Sequence, residues 1–301
     1  MTTVIETHAL TKYYGESLGI IDLDLAVEQG EVFGFLGPNG AGKSTTIRTL
    51  LNFLHPTRGS GTVLGLDIAS GSLAIKRRTG YLPGDLALYD QMTARELFIY
   101  FANLRKQNTT AMVKTLADRF DLDLDRKIKD YSTGNRQKVG LVNAFMHEPE
   151  LLILDEPTGG LDPLMQLQFQ YLVEETKAQG RTIFLSSHIL SEIDRVADRV
   201  GIVRDGRLVA VDTLDAFKSA AHSVVSLRFA SPVSPEPFLA CEGVVSVAAR
   251  DAESMLVVTV TGSIDPVIKT AARYEVVSIS TGSGELEEVF LSYYSGDVDA
   301  R

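Results

Sequence analysis

Gly37-Pro38-Asn39-Gly40-Ala41-Gly42-Lys43-Ser44 is a glycine-rich stretch closed by a lysine and a hydroxyl, a combination suited to holding phosphate. Glycines let a backbone curl around phosphate oxygens without side-chain clash. Successive N–H groups at the start of a following helix point at the anion. In this pattern Lys43 neutralises the terminal phosphates, and Ser44 offers a hydroxyl oxygen to Mg2+, an ion that takes oxygen ligands and keeps some of its water. Such a cradle needs an acidic metal partner on a neighbouring strand, and Leu151-Leu152-Ile153-Leu154-Asp155-Glu156 can supply it. Asp155 is expected to hold Mg2+ through water, and Glu156 to polarise an attacking water as general base. Each stretch alone has a plainer reading, a tight turn or a strand running into solvent. Their occurrence together favours the chemistry.

Positioning these groups requires a strand, a turn and a helix in that order. Residues 32–36 form a short apolar run that reads as a buried strand. Residues 43–54 carry helical spacing at Ile47, Leu50, Leu51 and Leu54. A second helix is expected over 93–106. It opens with Thr93 and Glu96 in capping-box spacing and carries an apolar stripe at Leu97, Tyr100, Phe101 and Leu104. Helical patterns also cover 110–120, 134–147 and 162–179, and buried strands are expected at 151–154 and 182–186. Strands alternating with helices imply an α/β fold with a mostly parallel sheet covered on both faces. Residues 199–204 and 207–211 flank Asp205-Gly206, a hairpin signal.

The composition changes after Ala220, where turn-rich residues 231–235 begin a different region. The pattern divides the chain into a first domain at 1–220 and a small α+β domain at 221–301. The second reads strand (224–229), helix (237–241), strands (244–249 and 255–260), helix (265–272), strand (275–280) and helix (285–294), the order of a ferredoxin-like split unit.

The 301 residues include 45% hydrophobic and 23% charged, with a formal net charge of −10. That composition suits a packed core. The acidic balance argues against a nucleic-acid partner, which calls for a basic surface. One cysteine, Cys241, excludes an intrachain disulfide and a thiolate metal cluster, and fits a reducing compartment. The first nine residues lack a basic segment followed by an apolar run, so no signal peptide is expected. No stretch approaches 18 uninterrupted apolar residues, so a partner must supply any membrane span.

Further motifs carry a resemblance. Tyr131-Ser132-Thr133-Gly134-Asn135-Arg136-Gln137 lies just ahead of the acidic strand and resembles the signature sequence of ABC ATPases. Gly159-Gly160-Leu161-Asp162 is similar to the family's D-loop, His188 to its switch histidine, and Tyr14 to the aromatic that stacks on adenine. The resemblance covers about 4–217, with the motifs in family order. It implies a P-loop ABC ATPase domain with a mixed sheet and a helical subdomain, binding ATP and Mg2+. Carried over residue by residue, nucleotide contacts fall on Tyr14, Gly37, Pro38, Asn39, Gly40, Ala41, Gly42, Lys43, Ser44, Thr45, Ser132, Gly134 and Asp162. Ser44 and Asp155 become metal ligands, and Glu156, His188 and Lys43 catalytic groups. The family closes two ATPase subunits head to tail around two nucleotides, so Ser132 and Gly134 of one would contact the γ-phosphate held by Lys43 of the other.

Two positions depart from the family pattern. In Gly80-Tyr81-Leu82-Pro83-Gly84-Asp85, Gly84 stands where the family has a glutamine that contacts the metal and its water, which leaves Asp85 or water to replace it. Asn135 replaces the last glutamine of the signature.

ABC ATPases do different work. The chain carries no long heptad insertion, which disfavours DNA-repair and chromosome-organising relatives, and one motif set, which disfavours translation factors. It most resembles daunorubicin-resistance-type exporter ATPases, through 131–137, 159–163 and the tail Leu286-Glu287-Glu288-Val289-Phe290. The expectation is the ATP-hydrolysing subunit of an exporter of drug-like or lipid-like molecules. Its partners would be a second ATPase subunit, as a homodimer, and a polytopic permease docking near 86–108. It would sit peripherally at the cytoplasmic face of the cell membrane. An importer subunit and a soluble remodelling factor stay open as alternatives.

Overall fold

A computed structural model describes residues 2–15, 17–220, 223–250 and 254–283. The chain begins with β1 (Thr3–Tyr14) and β2 (Ser17–Glu28), paired antiparallel. Leu23, Leu25 and Val27 are buried and alternate with exposed Asp24 and Ala26, the period-two pattern of a sheet with one packed face. β3 (Val32–Leu36) is buried at every residue and leads through the glycine-rich turn into α1 (Lys43–Leu50). β4 (Arg58–Val63) and β5 (Leu66–Asp67) complete a four-stranded sheet in the order β2-β1-β4-β5.

α1 stops short of the expected end at 54. Asn52 takes a left-handed φ of 52°, and the N–H groups of Phe53 and Leu54 both return to the Arg48 carbonyl. The apolar spacing continues past Leu51 because the turn itself packs, so periodicity overran the helix.

α2 (Ser72–Arg78) and β6 (Thr79–Leu82) lead into a helical layer of α3 (Ala94–Arg105), α4 (Thr110–Arg119) and, after a single turn at Ile128–Asp130, α5 (Thr133–Phe145). Thr93 and Glu96 form the reciprocal capping box that starts α3, and Lys106 ends it in the left-handed region. The stripe expected on α3 is only partly the buried one. Ala94, Leu97, Phe98 and Ala102 face inward, while Tyr100 is 39% and Leu104 63% exposed.

β7 (Leu151–Asp155), α6 (Pro163–Ala178), β8 (Thr182–Ser187), α7 (Leu190–Asp194), β9 (Arg199–Arg204) and β10 (Arg207–Thr213) follow. The second sheet runs β10-β9-β3-β8-β7-β6, with β9, β3, β8, β7 and β6 parallel. β3, β7 and β8 are wholly buried because helices cover both faces of parallel strands. Phe184 stacks on Phe33 with ring centroids 5.8 Å apart and meets Phe35 at 5.3 Å. Asp205 and Gly206, with φ of 49° and 77°, make the turn between β9 and β10.

Two compact units divide the chain, Met1–Val211 and Asp212–Arg301, a boundary ahead of the composition change at 220. The second contains α8 (Leu214–Ala220), β11 (Ser223–Phe229), α9 (Glu236–Leu239), β12 (Val244–Arg250), β13 (Met255–Val260), α10 (Asp265–Ala271) and β14 (Val276–Ser283). Its antiparallel sheet runs β12-β13-β11-β14. Phe238 and Val267 pack with Val225, Leu227 and Val258 in a separate core. The helix expected at 285–294, and with it the Leu286–Phe290 segment, lies outside the described residues.

Candidate functional site

The cradle is built by three strand ends that β-pairing holds side by side. β3 delivers the glycine-rich turn, β7 delivers Asp155 and Glu156, and β8 delivers Ser186 and His188. Gly42 caps α1 with φ 107°, and a Cβ there would stand 2.7 Å from the Gly19 carbonyl, so only glycine fits. No side chain caps this helix, which leaves its first N–H groups for an anion. Lys43 is 5% exposed, and its ammonium donates to the carbonyls of Gly37 (2.7 Å) and Pro38 (3.2 Å). It also pairs with Glu156 Oε1 at 3.2 Å.

Asp155 ends β7 at 1% exposure, and its Oδ1 accepts the Ser186 hydroxyl at 2.5 Å. Among the described residues no hydrogen bond reaches its Oδ2. A buried carboxylate with one open oxygen suits a hard cation, so Asp155 and the Ser44 hydroxyl fit a Mg2+ carried by the nucleotide. Glu156 adopts φ 50°, a left-handed conformation that costs a non-glycine residue about 1 kcal/mol. Its N–H is held by the Ser186 carbonyl at 3.1 Å, and its Oε2 lies 2.8 Å from His188 Nδ1. Glu156 therefore links the buried ammonium to the imidazole.

Lys43, Ser44, Thr45 and Glu156 line one cleft of about 320 Å3, with Pro38, Asn39, Gly40 and Gly42 along its floor. Tyr14 stands at its rim, 45% exposed, with its hydroxyl 3.3 Å from Thr45 Oγ1. Its ring is an exposed aromatic surface beside the phosphate end, of the kind a nucleobase can stack on, with the Lys12 ammonium 5.8 Å from the ring centroid. Gly37 and Ala41 support the turn from behind rather than lining the cleft.

Ser132, Gly134 and Asp162 do not line this cleft. Ser132 caps α5, its Oγ accepting from the Asn135 N–H at 3.3 Å, and Asp162 caps α6, accepting from the Met165 N–H at 3.0 Å. Both are exposed. A Cβ on Gly134 would stand 2.6 Å from the Gly160 carbonyl, so the start of α5 packs directly on the 159–162 loop.

Three contributors escaped the sequence reading. Gln137 is buried and donates to the carbonyls of Glu156 (3.2 Å) and Pro157 (2.9 Å), tying α5 to the acidic turn. Arg48 lines the cleft, and its positive charge lies near the Tyr81 phenol. Burial, and then the negative charge of Asp155, push the Tyr81 phenol up, while Arg48 opposes them. Arg48 stands four residues after Ser44 on the same helix, so the two share a face, and that spacing was a usable signal. Gln137 and Tyr81 stand inside the segments 131–137 and 80–85, but no local pattern gave either one a role. At the far end of α5, burial and then the neighbouring Arg105 charge push His147 down to about 4.

A family model described as ABC transporter matches residues 20–159. The chain is 38% identical over 221 residues to the bacitracin transport ATP-binding protein BcrA of Bacillus licheniformis, covering 72% of each chain. It is 35% identical over 225 residues to the probable multidrug ABC transporter ATP-binding protein YbhF of Escherichia coli, which covers 72% of this chain but 38% of that one. Among solved structures, an ATP-binding subunit of an ABC transporter superposes with a TM-score of 0.67 at 34% identity, over 72% of this chain and 92% of that one.

Proposed function

The chain belongs to the ABC transporter ATP-binding proteins and is an ATPase, and from that premise we propose that it powers the export of drug-like or lipid-like molecules through a separate membrane permease. The naming of the relatives, one for bacitracin transport and one as a probable multidrug transporter, supports the export reading. The observation that carries the ATPase chemistry is the convergence of Lys43, Ser44 and Glu156 on one cleft above the buried Asp155.

In this reading Tyr14 stacks on adenine, and the backbone of Gly37, Pro38, Asn39, Gly40, Ala41 and Gly42 wraps the phosphates. Lys43, Ser44 and Thr45 contact them with their side chains. Ser44 and, through water, Asp155 would hold Mg2+, which would offset part of the triphosphate charge. Glu156 takes a proton from the attacking water. His188, 2.8 Å from the other oxygen of Glu156, holds that carboxylate in line. Ser132, Gly134 and Asp162 serve the nucleotide of a second copy, because all three lie off the cleft of their own chain. The N-terminus of α5 then faces the γ-phosphate across the dimer, where fixed N–H dipoles stabilise developing negative charge.

Among the described residues no helix is long and apolar enough to cross a membrane, so attachment falls to the permease, at the cytoplasmic face. A groove lined by Phe53, Tyr81, Pro83, Leu86, Tyr89 and Phe101 suits an apolar partner segment. Phe53 and Tyr89 are exposed there, whereas Phe98 belongs to the core.

Purified chain should release phosphate from ATP in a Mg2+-dependent manner. Glu156→Gln should bind ATP, stop turning over and elute as a dimer on size exclusion, and the wild-type chain should co-purify with a polytopic membrane protein. A mutant that stays monomeric under saturating Mg-ATP with its permease present would overturn the dimer. Co-purification with no membrane protein would overturn the exporter reading.

A further inference from the structure

We propose that Asp90 and Arg136 are positioning residues for ATP turnover. Their ion pair fixes the direction in which the first turn of α5 points, and with it the reach of that turn to the phosphates held by a second copy. The inference rests on the two-copy reading above and adds which residues set that reach.

Two neighbouring residues tether the start of α5 to other parts of its own chain. Gln137 donates to the carbonyls of Glu156 and Pro157 at 3.2 and 2.9 Å. Consecutive residues of a helix point about 100° apart, so Arg136 leaves the axis on another side. Its Nη1 donates to Asp90 Oδ1 at 2.8 Å and to the Ile128 carbonyl at 3.3 Å. Its backbone N–H donates to the Ser132 carbonyl at 2.9 Å. One residue thus joins the cap of α5 to Asp90.

The segment that carries Asp90 is itself held by backbone bonds. The N–H groups of Ile128 and Lys129 donate to the carbonyls of Met92 and Asp90 at 2.9 and 3.1 Å, and Thr93 bridges Lys127. The Met92 N–H returns to the Tyr89 carbonyl at 3.0 Å. Asp90 therefore offers Arg136 a negative charge on a fixed support, and among the described residues it is the one carboxylate that Arg136 pairs with.

A helix end tethered on one side can pivot about that tether, whereas tethers on two sides hold it. N–H groups that meet charge developing in a transition state have to be aimed before the reaction begins. Folding has little use for the pair. The Asp90 side chain is 55% exposed and that of Arg136 27%, and exposed pairs contribute little to stability. α5 is anchored instead by buried Val139, Leu141, Val142 and Phe145. Loss of the pair leaves the helix in place and loosens its aim.

The test compares the full-length chain with its Asp90→Ala, Asp90→Glu, Arg136→Ala and Asp90→Ala/Arg136→Ala variants. Turnover is measured at saturating Mg-ATP, and nucleotide affinity of the single chain by fluorescence of a slowly hydrolysed ATP analogue. Asp90→Ala should lower turnover about 10-fold, within the range for a reacting group displaced by less than about 1 Å. Affinity should stay within about 2-fold, and the melting temperature within about 3 °C, as for an exposed pair. Asp90→Glu keeps the charge and should recover most of the rate. The double variant should be no slower than the slower single one, because each residue acts through the other. Wild-type turnover in Asp90→Ala would overturn the inference, and so would single losses that multiply in the double variant. A loss of turnover matched by a loss of affinity or of melting temperature would also overturn it. In each of those cases a Glu156→Gln chain that dimerises with Mg-ATP keeps the two-copy reading intact. A Glu156→Gln chain that stays monomeric with its permease present would overturn that reading and this inference with it.

Discussion

The strand-end cleft and the helix-cap face differ in how complete they are. At the cleft, β3, β7 and β8 bring Lys43, Glu156 and His188 into one connected network inside a single chain, with contacts of 3.2 and 2.8 Å. At the caps of α5 and α6, Ser132 and Asp162 are exposed, each satisfying only the first turn of its own helix. Buried parallel strands can fix a network to fractions of an ångström because every backbone group is already paired. An exposed helix N-terminus holds N–H groups, otherwise left to water, that an outside anion can use. In the proposed function the cleft binds nucleotide alone, whereas the cap face acts only when a second molecule brings a phosphate to it.

The strongest way to break that contrast is Lys43→Ala. It removes the buried ammonium and leaves Glu156 facing the cleft without its partner. Phosphate release should fall by at least about 100-fold, the usual scale for losing a group that meets transition-state charge. A rate within a few fold of wild type would put the chemistry elsewhere. A sharper separation comes from Gly134→Val. Its side chain would drive into the Gly160 carbonyl, which a Cβ alone would approach to 2.6 Å. Turnover should drop roughly 10-fold or more while nucleotide affinity of the single chain, measured by fluorescence, stays unchanged. Equal losses in both would mean that the two regions are not separable.

The effect with the least bearing on turnover, read in stability instead, tests the helix the two regions share. His147, at the far end of α5, has its folded value lowered from 6.5 to about 4. The neutral form is favoured in the fold, so the stability it allows is complete above about pH 6.5 and lost as the pH falls towards 4. The loss is on the order of 3 kcal/mol, read as a fall in denaturant midpoint between pH 7 and 4. His147→Gln should flatten that part of the profile, and an unchanged acid slope would show that other groups set it.

Much of the site was legible beforehand because its signals are local. A glycine-rich turn between an apolar strand and a helix, and an apolar strand ending in Asp155-Glu156, each depend on a few consecutive residues. The capping box at Thr93 and the turn at Asp205-Gly206 were readable for the same reason. What escaped was set by partners distant in sequence. Gln137 reaches the carbonyls of Glu156 and Pro157 from another element, and Tyr81 is perturbed by Asp155. Neither relation leaves a periodic trace. The α3 stripe is the intermediate case. Residues at 97, 100, 101 and 104 and those at 94, 97, 98 and 102 both have helical spacing, so periodicity announced a helix without choosing its buried face.

By itself the sequence determined which chemical groups exist and the order in which they meet the chain. It holds a phosphate turn, an acidic strand end, the residues that cap three helices, and glycine rather than a donor side chain at position 84. Backbone preference and spacing are properties of neighbouring residues, and they survive without the rest of the molecule. Tertiary structure alone decided which groups share a cleft, that Lys43 and His188 meet through Glu156, and that Ser132 and Asp162 stay outside. Those outcomes depend on parallel pairing of β3, β7 and β8 and on burial that changes the strength of every charge nearby, and both arise only when distant segments pack together.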